Sequence, residues 1–452
     1  MQNLNTIYKA HSHSMAKPLA KKARFSPYQI PLLEGIKQWF IALFALVLLC
    51  GAKIGYEYYK YLDLPFDSPK EIKAQILLQY QKTKPDKPNK PYTVMKLESA
   101  GHIFYITSKE NLKDLQGRFV RVYGKLNSKT QCDFLSYFRS CFFIAFSISL
   151  MPQKEFSAPL KNYFSSQHTS PIHASLFGAL FFADSLSKSW RDVANRLGLA
   201  HIIAISGFHL GVLSAFLFAL FAPFYRFFQS RFFSYRNELY DLGAIILCFM
   251  CGYLVLLDFT PSFLRALVMG ILGFLLLFWG LEIVNFKLLA LVGCICVALF
   301  PSAAFNVGFI LSMAGVFYIF LFVKYCPKVH FVWYWAAFNV VIFFSITPVV
   351  HYFFPYFSPY QLVSIPVSLA FVVAFSLMIF LHIVGFGGVF DRALDMVINL
   401  EIPSIDYYLS LPFMLCYVAL SLGSIFSKKC YAVMLGVAII FWVYLLARFL
   451  QI

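Results

Sequence analysis

Apolar runs of bilayer length recur along this chain and constrain it more than any other feature. A hydrocarbon core is crossed by about 20 consecutive apolar residues in a helix. The first such run builds through Phe40–Cys50 and the last occupies Tyr431–Leu450. So many runs cannot fill one soluble core. Charged residues make up only 13% of the 452, against about 25% in a soluble domain. The pattern predicts an α-helical polytopic membrane protein. Spans are expected at 38–54, 199–222, 240–258, 262–280, 287–301, 305–323, 331–350, 361–386, 408–426 and 430–449.

Residues 56–151 break this pattern. Charge density rises, apolar runs shorten and turn residues appear. Strands are expected at Glu71–Thr83, Tyr92–Ser99, Ile103–Thr107, Arg118–Leu126 and Cys141–Leu150, with breaks at Lys84–Lys90 and Gly101 and a short helix over Lys109–Leu115. Five short strands with a helix after the third fit a small all-β barrel of OB type, a pattern that a generic β-sandwich fragment would share. Residues 157–198 read as an amphipathic helical segment, and 199–452 as the multi-span domain.

Lys and Arg set the orientation. The first 37 residues carry Lys17, Lys21, Lys22 and Arg24 and lack a signal peptide's short apolar core and small-residue cleavage site. They are expected to be a cytoplasmic arm before a retained first helix, which places 56–151 outside. Arg226, Arg231 and Arg236, then Lys324 and Lys328, then Lys428 and Lys429 should lie inside. Only three spans separate the last two pairs, whereas the number must be even. The stretch 355–370, interrupted by Pro355, Pro359 and Pro366, is the candidate for a re-entrant segment.

The net charge of +17 is partly topological and is also what a polyanionic ligand would call for. From Gly55 to Leu150 there are fifteen Lys and Arg against nine Asp and Glu. Phe119, Arg121, Tyr123 and Lys125 alternate on one strand face there. That face is either an ordinary solvated one or a sequence-independent surface for single strands, which stacks bases and tracks phosphates. Cys132 and Cys141 lie in the same region, where a disulfide can form. No G-x-x-x-x-G-K-[ST] loop occurs, so the chain is not expected to power transport by its own ATPase.

In the 199–222 run, His201, Ile205 and His209 recur at four-residue steps and are expected to share a helix face, with Ser206 nearby. Gly207 and Gly211 point to the other side, where a second helix can approach. The polar face is either a wet lining or a set of hydrogen bonds that fix packing. Asp184 is expected to meet it. A Ser206/His209/Asp184 hydrolase lacks a nucleophile elbow, and the histidine spacing suits no helical zinc site. No catalytic residue, metal or cofactor is therefore expected. Arg265, one turn after Pro261, either snorkels to lipid phosphate or binds a nucleic-acid phosphate.

Several segments resemble the ComEC family of competence proteins. Gly198-Leu-Ala-His201-Ile-Ile-Ala-Ile-Ser206-Gly-Phe-His209-Leu-Gly211 is similar to GLSH-x-x-AISG-x-H-x-G. Ala179–Ser185 resembles LLLGD, with Ala183 where glycine is usual. Pro261–Ala266 resembles PS-x-LRA. Pro301 with Gly308–Ser312 resembles NP…GFQLS, with Ile310 in place of glutamine. Thr347-Pro348 and Ser358–Pro366 resemble TLP…FS…IP. The resemblance implies an inner-membrane channel that admits transforming single-stranded DNA in natural competence. It implies a DNA path along Asp184, Arg196, His201, Ser206, His209, Arg265 and Ser312. The implied partners are single-stranded DNA, the lipid bilayer, a periplasmic DNA receptor, cytoplasmic DNA-handling proteins and a possible second copy of the chain. Many members carry a metallo-β-lactamase-like domain. With no H-x-H-x-D-H run here, a short form is expected, the strand-degrading nuclease being a separate protein. A secondary transporter of a small solute or polysaccharide unit, and a non-conducting scaffold of an uptake machine, are the competing readings.

Overall fold

A computed structural model describes residues 35–451 except 63, 65, 67, 85–86, 100–101, 109–114, 116, 127–131, 152–156, 185, 258–259, 279–284 and 328. Most of the N-terminal arm and most of the helix expected at Lys109–Leu115 lie outside these residues, as does Lys328. The first helix, α1 (Ile36–Leu62), has 27 residues and is about 40 Å long, more than a bilayer core requires. Its last two turns therefore serve as a stalk for the barrel. Tyr61 donates its hydroxyl to Cys132 O at 2.8 Å, and buried Glu57 meets His102 Nε2 at 3.1 Å. Burial pushes the His102 imidazole below its ordinary pKa in spite of that carboxylate.

The barrel comprises β1 (Lys70–Lys84), β2 (Lys87–Ser99), β3 (His102–Ser108), β4 (Phe119–Leu126) and β5 (Cys141–Leu150). It closes in the order β1-β2-β3-β5-β4, with β3 and β5 parallel and the other pairs antiparallel. Ile76, Met95, Leu97, Ile106, Val120, Val122, Leu126 and Phe143 fill its interior, as the period-two alternation dictates. A helix, α2 (Phe134–Arg139), stands between β4 and β5, where none was expected. Asp133 caps it by accepting from Ser136 N at 2.9 Å, a capping signal the surrounding apolar strands obscured. Cys132 and Cys141 flank α2 and are joined in a disulfide, Cα–Cα 5.4 Å. Tyr137 stacks on His102, and Arg139 lies over Phe305, so α2 fastens the barrel to the bundle.

The rest is helical: α3 (Ala158–Ser165), α4 (Pro171–Phe182), α5 (Lys188–Arg196), α6 (Ala200–Ile203), α7 (Gly207–Phe232), α8 (Glu238–Leu256), α9 (Pro261–Phe278) and α10 (Phe286–Leu299). A 3-10 turn at Pro301–Phe305 leads to α11 (Val307–Tyr325) and α12 (Phe331–Phe353). Then come β6 (Tyr356–Phe357), a 3-10 turn at Pro359–Val363, α13 (Ser364–Val384), a 3-10 turn at Gly387–Phe390 and α14 (Asp391–Ile398). The last elements are β7 (Ile405–Asp406), α15 (Leu411–Gly423) and α16 (Lys428–Phe449). Among the described residues, seven helices are long and apolar enough to cross a membrane, and four shorter apolar helices accompany them. Cys248 and Cys251 form a C-x-x-C step on α8, both exposed and free.

The odd number of spans has a structural answer. Lys324 and Tyr325 at the end of α11 bond carbonyls at Ser424 and Ile425, so these termini share one end of the bundle. β6 pairs with β7, Tyr356 with Asp406 and Phe357 with Ile405. Residues 358–404 thus leave from and return to the same place. The excursion is larger than the stretch 355–370 expected to re-enter. It goes out along α13 and comes back by way of α14 and an irregular segment, with no second full-length span.

At Gly124, an added Cβ would sit 2.0 Å from Ile144 O and 2.7 Å from the Phe143 ring, where the β4–β5 register slips. Gly124→Ala is expected to destabilise the barrel by at least about 1–3 kcal/mol. Thermal unfolding of the whole chain checks this; an unchanged midpoint would show that the bulge can relax.

Candidate functional site

Between barrel and bundle lies a crevice of about 650 Å³. Gln75, Leu78 and Glu98 line it from the barrel, Lys161 from α3, Ala179 and Phe182 from α4, Arg191 and Asn195 from α5, and Ala204, Thr260 and Ser262 from the following segments. Its charged groups belong mainly to the α3–α5 wall. Asp184 accepts from Lys161 Nζ at 2.7 Å, and Arg191 donates to Leu186 O at 2.9 Å. Asp184 was expected to face the histidines, but the turn after α4 directs it to Lys161 instead. Ala183 makes that turn with φ 58°, left-handed backbone for which glycine is suited.

The run 199–222 is not one helix, so His201, Ile205 and His209 do not share a continuous face. The helix stops at Ile203 and restarts at Gly207. Ser206 explains the restart: its hydroxyl accepts from Phe208 N at 3.3 Å, while His209 Nδ1 accepts from Ser206 N at 3.4 Å, a reciprocal cap. His209 is buried against Phe371 and Phe375, whereas His201 is exposed. Gly207 faces Ala266 on α9, a Cβ there standing 3.6 Å from Ala266 Cβ. A Cβ at Gly211 would meet nothing within 4 Å, so among the described residues only the first glycine of the pair has a close neighbour.

The remaining candidates are dispersed. Arg196 donates to Ile402 O at 2.9 Å and ties α5 to the returning excursion. Half-buried Arg265 reaches the start of α11, where a Cβ on Gly308 would be 3.5 Å from Nη2. Ser312 is exposed on α11. On the barrel, Phe119, Arg121, Tyr123 and Lys125 do face outward together, the first three exposed and Lys125 half-buried, with Phe146 beside Tyr123. Glu71 on β1 holds Arg121 at 2.8 Å and neutralises part of this face.

A second cluster went unrecognised in the sequence. The α3–α4 loop enters a socket at the end of α13. Gln167 Nε2 donates to His382 O at 2.9 Å, and its Oε1 accepts from Gly387 N at 2.7 Å. Thr169 gives its N–H and its hydroxyl to Asp391 Oδ2 at 2.8 and 3.0 Å. His168 Nδ1 meets Asp391 Oδ1 at 2.8 Å, and its Nε2 meets His382 Nε2 at 3.1 Å. Phe164, Phe177 and Phe181 pack around the imidazoles. Cβ atoms on Gly387 and Gly388 would overlap Gln167 at 2.6 and 2.4 Å, so the Gly-Phe-Gly-Gly run at 385–388 is the floor of the socket. That run, with histidines in apolar segments, was the available signal.

Apolar helices with broken ends, a barrel held at one end and a polar crevice between them define a polytopic membrane protein. Residues 180–448 match the family model described as Competence protein, and the chain belongs to that family, of ComEC type. Membership supports a role in DNA uptake during competence at the level of the family. No curated protein and no solved structure matches the chain.

Three substitutions separate packing from backbone effects here. Ala183→Gly relieves left-handed strain of about 1–2 kcal/mol and loses about 0.5–1 kcal/mol to glycine's unfolded freedom. It should stabilise the chain by about 0.5–1 kcal/mol, measurable as a raised unfolding midpoint. Gly207→Leu should lower the amount of protein in the membrane while Gly211→Leu leaves it unchanged; equal losses would show that Gly211 also packs.

Proposed function

We propose that the chain is the channel through which transforming single-stranded DNA crosses the inner membrane, with the barrel as its outer binding module. The crevice carries this reading, because it joins the barrel wall to the α3–α5 wall in a family tied to DNA uptake. The barrel is read as an OB-type module. Its outward face supplies aromatics for base stacking and cations for phosphates, the combination that sequence-independent single-strand binding uses. On this reading the first helix enters from the cytoplasm and the barrel is periplasmic. A periplasmic receptor delivers the strand and cytoplasmic DNA-handling proteins receive it. The chain itself acts without a catalytic step or cofactor.

Binding of labelled single-stranded DNA to the purified full-length chain tests the module. Affinity should fall steeply with salt. Phe119→Ala and Tyr123→Ala should each weaken it by about 1–3 kcal/mol. Glu71→Gln should strengthen it by releasing Arg121. Salt-insensitive binding, or no binding by a folded chain at low salt, would reduce this face to a solvated strand. The channel itself is tested in cells: Asp184→Ala and Arg191→Ala should leave external DNA binding and membrane abundance intact and lower internalisation of labelled DNA. Unaffected internalisation would remove the crevice from the path.

A further inference from the structure

The socket at the end of α13 requires a definite number of protons. Three contacts follow one another: Met378 O with His382 Nδ1 at 2.6 Å, His382 Nε2 with His168 Nε2 at 3.1 Å, and His168 Nδ1 with Asp391 Oδ1 at 2.8 Å. Each needs one hydrogen, and the carbonyl and the carboxylate at the two ends are acceptors. Two neutral imidazoles bring two hydrogens. A third must therefore be present, whether it sits on His382, on His168 or on Asp391. The docked cluster then carries no net charge, which suits side chains only 0% exposed at His168 and 5% at Asp391. Without that proton, one of the three contacts would set an imidazole lone pair against another acceptor, the Met378 carbonyl, the second imidazole or the Asp391 carboxylate.

We propose that His168, His382 and Asp391 form a proton-binding site whose single extra proton latches the α3–α4 hairpin onto α13 and α14. Other charged or titratable groups on the packed elements do not take its place. His173 on α4 is engaged by Asp395 on α14 at 2.8 Å, Arg392 on α14 is exposed, Lys161 on α3 turns to Asp184, and Tyr163 on α3 donates to Ile383 O. A groove of about 480 Å³ lined by Ser165, His168, Ser170, Ser175 and Asp184 leads along the hairpin and gives the site a polar approach. The same hairpin forms a wall of the crevice, so undocking would move that wall. The inference stands on the socket alone and is independent of what passes through the crevice.

The pH dependence follows from proton counts. Undocked histidines titrate near pH 6.5. Well above that pH the released cluster holds two protons against three when docked, so docking weakens as pH rises, by up to tenfold per unit. Below it the released cluster approaches four, so docking weakens as pH falls, again by up to tenfold per unit. Docking is strongest near about pH 6.5, where both states hold three.

Hydrogen–deuterium exchange of the intact chain in nanodiscs, corrected for the chemical exchange rate, reads this directly. Peptides covering residues 158–182 should show a protection maximum near about pH 6.5 and slopes of up to tenfold per unit on both sides, while barrel peptides stay flat. Asp391→Asn offers an amide that donates to His168 and still accepts from Thr169, so two imidazole protons suffice and the alkaline arm should vanish. His382→Gln carries the same expectation and serves if the first variant does not dock. A wild-type profile without that maximum overturns the proposal. So does an alkaline arm that persists in either variant.

Discussion

A bilayer offers no water to an unpaired backbone group, and this constraint governs every irregularity of the fold. Among the described residues, three interruptions in apolar helical sequence are each closed by named partners. At Ala204–Ser206 the free amides at the start of α7 are met by the Ser206 hydroxyl and the His209 ring. At 354–363 the chain leaves the helix and pairs with β7, and Tyr407 N donates to Pro355 O. At Gly385–Gly388 the backbone is met by Gln167 from a distant hairpin. The signature-like segment is thus a backbone feature before it is a chemical one. Its serine and histidine are committed to holding a helix terminus.

That commitment changes what the histidine pair can do. His209 accepts through Nδ1 from Ser206 N, so the proton of the neutral ring sits on Nε2. Its ring is enclosed by Phe371 and Phe375 of α13. His209 therefore ties the restart of α7 to α13, the helix whose far end carries the socket. His201, on the other side of the break, remains exposed. One motif thus supplies a packed residue and an accessible one, a division that four-residue spacing could not reveal.

Element types were legible where side-chain period speaks directly. The five strands fall within a few residues of the observed ones because Val120, Val122 and Leu126 alternate with Phe119, Arg121, Tyr123 and Lys125. The long spans were legible from apolar length. What failed were features set by local capping or by distant contact. Apolar periodicity continues across Ser206 and predicts one helix over 199–222, while the hydroxyl competes with the backbone only at that point. The socket was invisible because Gln167, His168 and Thr169 lie more than 200 residues from His382 and Asp391. Glycines 387 and 388 were the trace left in the sequence, since close approach of another backbone excludes a Cβ there.

The hairpin connects the two polar regions mechanically. Its second helix, α4, has 12 residues and is about 18 Å long, a rigid rod between the loop at Gln167–Thr169 and the turn at Ala183–Asp184. Phe177 and Phe181 pack against His382 on one side of α4, while Ala179 and Phe182 line the crevice on another. Close-packed aromatic cores switch between discrete arrangements more readily than they deform. On the proposed latch, a change at the loop would be carried along α4 toward the Lys161–Asp184 pair. The left-handed turn at Ala183 fixes the direction in which the carboxylate leaves the helix, so Asp184 moves with α4. Gly178 leaves room for this arrangement, an added Cβ there standing 3.3 Å from Asp184 Oδ2. With the socket at one end and the Lys161–Asp184 pair at the other, the α3–α4 hairpin is the element that the two polar regions share.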